Sequence, residues 1–230
     1  MINVINDVVK KFFQVLVRFP LHLGVLLLWF TAVNWGITYI ALNHYVVSRL
    51  TGLIALTLTG LAGVILVSLL IDLVEHRAFS VSRVISRFTL FRIINFYLVG
   101  LVISLPLLLI GFLMGIVGIA AGSDSFLLSA PVNLFMRFGN LLFIMPLTAM
   151  AQAAIIKDNL RVDIALDRSL SLLLKNIVAI VIFYALLAAP QLLADYVTVP
   201  ATMLPVAQAC WAIIRSLIGV ILYVTLSKRS

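Results

Sequence analysis

Six long apolar runs, separated by short polar segments, dominate the pattern of hydrophobic and polar positions along the chain. Each run is long enough for a transmembrane helix, which needs about 20 predominantly apolar residues. None of the runs alternates apolar and polar residues, so the pattern is typical of helices rather than strands. We therefore predict an all-α polytopic membrane protein with about six transmembrane helices, near 21–42, 51–74, 94–120, 134–156, 176–194 and 204–227.

Residues 1–20 have a different pattern, because their polar side chains recur every three or four positions. That spacing places a narrow polar stripe on a helix that is otherwise apolar. A helix of this kind lies in the headgroup plane with its apolar side in lipid. We predict an N-terminal amphipathic interfacial helix over 1–20, ending at Pro20, followed by a six-helix transmembrane domain over 21–230. The stripe consists of Asn3, Asn6, Asp7, Lys10, Lys11, Gln14 and Arg18.

The composition supports lipid as the main solvent of the chain. Hydrophobic residues make up 64% and charged residues 10%, and the mean hydropathy is +1.24. Soluble domains average about 45–50% apolar and about 25% charged residues, so this chain has too much apolar surface to be one of them. The single cysteine, Cys210, excludes a disulfide within the chain.

The net charge of +8 is unevenly distributed between the loops. If the N-terminus is cytoplasmic, inner segments hold most of the 16 basic residues, as the positive-inside rule requires. We therefore predict that both termini lie in the cytoplasm. The inner set is Lys10, Lys11, Arg18, Arg77, Arg83, Arg87, Arg92, Lys157, Arg161, Arg168, Lys175, Lys228 and Arg229.

Two of the basic connections, 76–92 and 161–175, carry polar residues at helical spacing. They predict amphipathic inner-face helices, each leading into the next span. Such basic surfaces bind anionic lipid, at about 1 kcal/mol per basic residue near the membrane. The candidate inner-face contacts with lipids or protein partners are Lys10, Lys11, Arg83, Arg87 and Arg92.

The two connections also share a spacing. Arg87 and Asn95 are eight residues apart, as are Arg168 and Asn176, and each asparagine begins a span that contains a proline. Both units run from inside to outside, so the pattern indicates a parallel duplication. Chance is the alternative, because only two polar residues match.

Arg215 lies near the middle of the last apolar run. A charge at that depth costs about 2.5–3.5 kcal/mol on insertion scales. No acidic residue is expected at mid-depth, so the predicted partners are Asn34, Gln152 or Gln208, a freed backbone carbonyl, a lipid phosphate or another subunit. An intramembrane polar site of Arg215, Asn34 and Gln152 could bind an anion or a headgroup. The alternative is an arginine that is solvated by water or only holds helices together.

The chain lacks the motifs of common catalytic and cofactor sites. It contains no HExxH, GxSxG, P-loop or GxGxxG sequence. We expect no enzyme activity, no cofactor, no metal site and no nucleic-acid partner. The expected partners are membrane lipids, anionic at the inner face, and protein subunits or further copies of the chain.

The segment FIMPLTAMAQAAIIKDNLRVDIALDRSLSLLLKN, from Phe143 to Asn176, resembles the YciC-like family of bacterial inner-membrane proteins. More loosely, it is similar to the membrane domain that precedes some glycerophosphodiester phosphodiesterases. Pro106 is followed by leucine, where the family often has Pro-Gly. The resemblance implies the bacterial plasma membrane and a helical fold, and it brings no activity. The matching residues are Pro146, Ala165, Leu166, Ser169, Lys175 and Asn176.

Two classes of function follow from these features. The first is a non-catalytic membrane protein that acts through contacts, as an accessory, scaffold or assembly subunit of a larger membrane complex. The alternative is a small transporter, channel or lipid-handling protein with an anion or headgroup site around Arg215. The absence of catalytic motifs favours the first class, whereas the intramembrane charge favours the second.

Overall fold

The computed structural model describes residues 2–43, 48–76, 79–120, 138–194 and 204–228, which form helices and turns without any strand. The predicted all-α class is confirmed for these residues. α6 consists of a π-helical turn, Asn140–Ile144, followed by the α-helix Met145–Asp158. The other helices are α1 (Ile2–Arg18), α2 (Pro20–Asn43), α3 (Ser48–Val74), α4 (Val81–Arg87), α5 (Leu90–Ala120), α7 (Val162–Lys175), α8 (Ile177–Ala194) and α9 (Leu204–Leu226).

Four segments are each long and apolar enough to cross a membrane: Thr57–Val74, Leu90–Val117, Asn140–Asp158 and Val206–Leu226. Two bent pairs of helices pass the same test together. α1 meets α2 at 86°, and α7 meets α8 at 89°. The described residues therefore contain four candidate spans, or up to six if each bent pair forms one span.

The six apolar runs of the sequence correspond to α2, α3, α5, α6, α8 and α9, in that order. Residues 134–137, at the start of the fourth run, lie outside the described residues.

Local chemistry explains the first right-angle bend, and a side-chain bond caps the helix end at the second. Pro20 has no N–H with which to continue α1, but a proline is well suited to begin α2. At the second bend, the side-chain amide of Asn176 donates to the carbonyl of Leu172 over 3.0 Å. This bond satisfies one of the carbonyls that the end of α7 leaves without a helical partner.

The apolar surface of α1 is divided between the protein and its surroundings. Val8 and Val15 are buried in the hydrophobic core, whereas Phe13 and Val17 are exposed. We expected the whole apolar side of this helix to face lipid. In the structure α9 packs along α1 and covers part of that side.

α6 and α9 pack closely at the centre of the bundle. An added Cβ at Gly219 of α9 would lie 2.4 Å from the Cβ of Ala149 in α6, too close for any side chain. Ala153 and Ala154 of α6 are completely buried. Small residues of this kind allow helix backbones to approach each other in a membrane.

Side-chain contacts bring the C-terminal ends of α3, α6 and α9 together. Lys157 Nζ of α6 lies 3.1 Å from a carboxylate oxygen of Glu75, just after α3. The hydroxyl of Tyr223 in α9 donates to Asp158 over 2.6 Å. We call this region the basic end, after its cations Lys10, Lys11, Arg18, Arg83, Arg87, Arg92, Lys157, Arg161 and Arg168.

Candidate functional site

Arg215 lies at the middle of α9, eleven residues from Leu204 and eleven from Leu226. At 1.5 Å per residue it is about 16 Å from either end of the helix. In a bilayer this is the depth at which a charge is least favourable. The side chain is partly buried, and what it exposes lines two adjoining cavities.

The larger cavity has a volume of about 470 Å³ and is lined mainly by α3, α5, α6 and α9. Its polar lining includes Ser104 of α5, Gln152 of α6, and Arg215 and Ser216 of α9. Gln152 lies close to Gly100 of α5, where an added Cβ would be 3.9 Å from the amide nitrogen of Gln152. The structure thus brings two predicted site residues, Arg215 and Gln152, to one cavity.

The smaller cavity, of about 200 Å³, shares these four polar residues and adds Asn140 and Thr148 of α6. Asn140 begins the π-helical turn, and such turns are frequent at functional sites. The hydroxyl of Thr148 is buried and has no hydrogen-bond partner among the described residues. It is therefore free to bond to a group that enters this cavity.

The larger cavity reaches the protein surface at α5. Leu98 and Leu101 line it and are exposed at the protein surface. The ring of Tyr97 packs against Gly60, in the space that a side chain at position 60 would fill. Tyr97 also donates a hydrogen bond to the carbonyl of Thr57 and so joins α5 to α3. The opening is therefore mainly apolar.

Arg215 makes no hydrogen bond or ion pair with any residue whose side chain the structure describes. Tyr184 of α8 is a neighbour of Arg215. The Tyr184 side chain is buried, and its hydroxyl is without a partner in the described part of the chain. The acidic residues that the structure describes all belong to the basic end: Asp7, Asp72, Glu75, Asp158, Asp163 and Asp167.

Asn34, the third predicted member of the site, lies on α2 and lines neither cavity in the described part of the chain. Its predicted membership rested on depth alone. Sequence reasoning missed Ser104, Ser216, Asn140 and Thr148. The only sequence feature that marks them is a neutral polar side chain in an apolar run. Many such side chains simply form a hydrogen bond to a backbone carbonyl of their own helix. Ser104 does this too, since it donates to the carbonyl of Gly100 over 2.7 Å.

Arg83 and Arg87, predicted as lipid or partner contacts, both bind Asp72 of α3. Arg87 Nη1 lies 2.9 Å and Arg83 Nε 3.3 Å from the two carboxylate oxygens. Arg87 also donates to the carbonyl of Ser68 over 2.8 Å. The Asp72 side chain is completely buried, and those of Arg87 and Arg83 are 12% and 38% exposed. Sequence reasoning missed Asp72, although an acid before two arginines at helical spacing was a usable signal.

The second basic connection repeats these contacts. Arg168 of α7 binds Asp158, at the end of the preceding helix, over 2.9 Å. Asn95 and Asn176, eight residues after the respective arginines, each donate to the carbonyl four residues earlier, over 2.9 and 3.0 Å. The two arginines thus make similar ion pairs, and the parallel duplication stays a prediction.

The other basic candidates have different surroundings. Arg92 Nε donates to the side-chain oxygen of Asn159 over 2.9 Å, and Lys11 Nζ donates to the hydroxyl of Thr225 over 3.0 Å. Both residues therefore join separate helices. Lys10 is exposed on α1.

No group of three or more histidine, cysteine or acidic residues that could hold a metal ion is found within the described ranges. His22 instead lies between two aromatic rings, with centroid distances of 5.6 Å to Phe19 and 4.7 Å to Phe79.

No protein-family model, curated protein or solved structure matches this chain. The resemblance to the YciC-like family therefore stays a prediction.

Proposed function

We propose that this membrane protein binds an anionic group within the bilayer, at Arg215, and thereby handles a lipid or moves a small anion. The observation that carries the proposal is that Arg215 lines two adjoining cavities at the middle of α9, with no anionic partner among the described side chains. A cation at this depth is unfavourable by about 2.5–3.5 kcal/mol. A bound anion would offset that energy.

The groups around Arg215 suit an oxyanion. A guanidinium presents its N–H groups in a planar fork that matches phosphate or carboxylate. Gln152, Ser216, Asn140 and Thr148 can donate further hydrogen bonds to the remaining oxygens. Among the described residues, the cavity linings contain no carboxylate that would repel an anion.

The position of the opening favours a lipid headgroup over a free anion. The larger cavity reaches the surface through Leu98 and Leu101, which would face acyl chains in a bilayer. A phospholipid could therefore place its phosphate at Arg215 while its chains stay outside, beside α5. A free anion would not enter readily through an apolar opening, because its transfer from water to hydrocarbon is unfavourable.

This function requires a specific placement in the membrane. α2, α3, α5, α6, α8 and α9 would be the six spans, with α1 and α7 lying in the headgroup plane. The right-angle bends before α2 and α8 support this placement. The basic end would face the cytoplasm by the positive-inside rule, and the family resemblance favours a bacterial inner membrane.

Native mass spectrometry of the purified protein with added phosphatidylglycerol tests the proposal. We expect Arg215→Met to weaken lipid binding about ten-fold or more, because hydrogen bonds to charged groups contribute about 1.5–3 kcal/mol. Asn34→Leu is the matched control, since it also removes a polar group from a long helix but lies outside both cavities. This control should bind like the native protein.

A second measurement separates the two kinds of ligand. Phosphate uptake into proteoliposomes of pure phosphatidylcholine would show that a small anion moves, and its loss in Arg215→Met would assign that movement to the site. Lipid binding without uptake would identify a lipid-handling protein. Equal behaviour of the native protein and Arg215→Met in both assays would contradict the proposal.

The role as an accessory, scaffold or assembly subunit is the second candidate. It is favoured by α5, whose apolar side chains are exposed along much of its length, among them Leu105, Leu108 and Phe112. Either another subunit or lipid could cover this helix. Mass spectrometry of the proteins that copurify in mild detergent tests this role, because it requires a partner in fixed stoichiometry.

A further inference from the structure

A cleft of about 580 Å³ lies at the basic end, between α1 and the turn that follows α3. It is separate from the Arg215 cavities and shares no lining residue with them. Two of its side chains are cationic, one is an imidazole, one is a neutral amide and two are apolar. The lining consists of Lys10, Phe13, Gln14, Val17, Arg18 and His76.

The polar members converge from two elements. Lys10, Gln14 and Arg18 follow one another at four-residue spacing and therefore lie along one face of α1. His76 reaches the cleft from the other side. Its left-handed backbone conformation, with φ of 58°, ends α3, and its N–H donates to the carbonyl of Leu73 over 3.0 Å.

The cationic side chains of the cleft are not paired with carboxylates in the described part of the chain. Lys10 and Arg18 form no ion pair within the described ranges, and Arg18 contacts only the ring of Phe19, at 5.6 Å. Glu75, beside His76 in the chain, is held by Lys157. This arrangement differs from that of Arg83 and Arg87, which share a buried carboxylate.

The apolar members lie on the open side of the cleft. Phe13 is 58% and Val17 79% exposed. On a helix in the headgroup plane, such side chains insert among the acyl chains while neighbouring basic residues stay at the level of the phosphates. The cleft therefore combines cationic donors with an apolar border, as the junction between a lipid headgroup and its chains requires.

We propose that this cleft binds the phosphate of an anionic phospholipid of the inner leaflet. Lys10 and Arg18 donate charge-assisted hydrogen bonds to the phosphate oxygens. Gln14 and His76 lie beside the phosphate and can donate to its oxygens or to the headgroup. Phe13 and Val17 contact the first part of the acyl chains. The site does not depend on Arg215, so either proposal can fail without the other.

The test compares two double variants that each remove two positive charges. Lys10→Gln with Arg18→Gln alters the cleft. Arg161→Gln with Lys228→Gln alters exposed positions outside it. In native mass spectrometry with phosphatidylglycerol, we expect the cleft variant to bind about 25-fold more weakly, at about five-fold for each basic residue. The control should change binding less than about two-fold, because neither of its residues lines the cleft and salt screens charges that lie farther from the lipid than about 10 Å.

A photoactivatable phosphatidylglycerol in nanodiscs gives the position of the lipid directly. Crosslinks should map to Phe13 or Val17 and should persist in Arg215→Met, which distinguishes this site from the intramembrane one. Inorganic phosphate should not displace the lipid, since it lacks the acyl chains. The charge-conserving pair Lys10→Arg with Arg18→Lys should retain binding if the cleft variant lost it through charge rather than misfolding.

Three results would overturn the proposal. Equal losses in the two double variants would mean that only the overall charge matters. Crosslinks that avoid α1 would assign the lipid to another surface. Displacement by inorganic phosphate would identify a site for a free anion rather than for a lipid.

Discussion

Arg87 and Arg215 are two arginines in apolar surroundings, but their charges are compensated differently by the fold. Arg87 lies beside the end of α3, in an ion pair with the buried carboxylate of Asp72 and hydrogen-bonded to the carbonyl of Ser68. Arg215 lies at the middle of α9 and faces cavities lined by neutral polar groups such as Gln152. The first cation is neutralised within the described chain, whereas the second has no anion there.

The difference indicates a division of roles. An arginine whose charge is neutralised by its own carboxylate attracts an anionic ligand only weakly, so its role is structural. A partly buried arginine without a carboxylate keeps its full attraction for an anion. The same substitution should therefore affect stability at one position and binding at the other.

Asp72→Asn is expected to have the largest effect on stability. It would leave Arg87 without its counter-charge, and removal of one partner from a buried ion pair destabilises a protein by about 3–5 kcal/mol. The free energy of unfolding can be measured in mixed micelles of a mild detergent and SDS, through tryptophan fluorescence. Asp163→Asn is the control, since it alters an exposed pair and should change stability by at most about 0.5 kcal/mol. If the two substitutions lowered the free energy of unfolding equally, the Asp72 ion pair would be no more important for stability than an exposed pair.

Arg215→Met should act in the opposite direction. It removes an uncompensated charge at mid-depth, so we expect stability to stay the same or rise, by at most about 2–3 kcal/mol. The same unfolding experiment measures this change, and the lipid-binding assay shows whether function is lost at the same time. A loss of stability as large as that of Asp72→Asn would mean that Arg215 holds the fold together.

Arg168→Gln should have the smallest effect of the three. Its bond to Asp158 and its contact with the ring of Tyr223, at 5.5 Å, are partly exposed to solvent. Partly exposed pairs contribute about 1 kcal/mol or less, and added salt should reduce the difference from the native protein. An effect comparable to that of Asp72→Asn would show that the two basic connections contribute equally to stability.

Much of the helical framework was predictable from the sequence, because apolar runs of span length and polar stripes are local patterns. The six runs correspond to α2, α3, α5, α6, α8 and α9. The division of the apolar side of α1 was not predictable. It depends on α9, which packs against α1 from the far end of the chain.

The candidate site was predictable only in part. Arg215 is conspicuous because a charge in an apolar run is rare, and Gln152 was a plausible neighbour because of its depth. Ser104, Thr148 and Asn140 have no such signal. Their role depends on the rotation of α5 and α6 about their axes, which packing decides.

The sequence by itself therefore determined the class of the protein, its helices and the uneven distribution of its charges, since hydrophobicity and charge are properties of each segment alone. Only the tertiary structure decided which cations are neutralised within the chain and which remain available. Ion pairs and hydrogen bonds require contact within about 3–4 Å. Whether residues as distant in sequence as Arg87 and Ser68, or Arg215 and Ser104, come that near or share a cavity is fixed by how the helices pack.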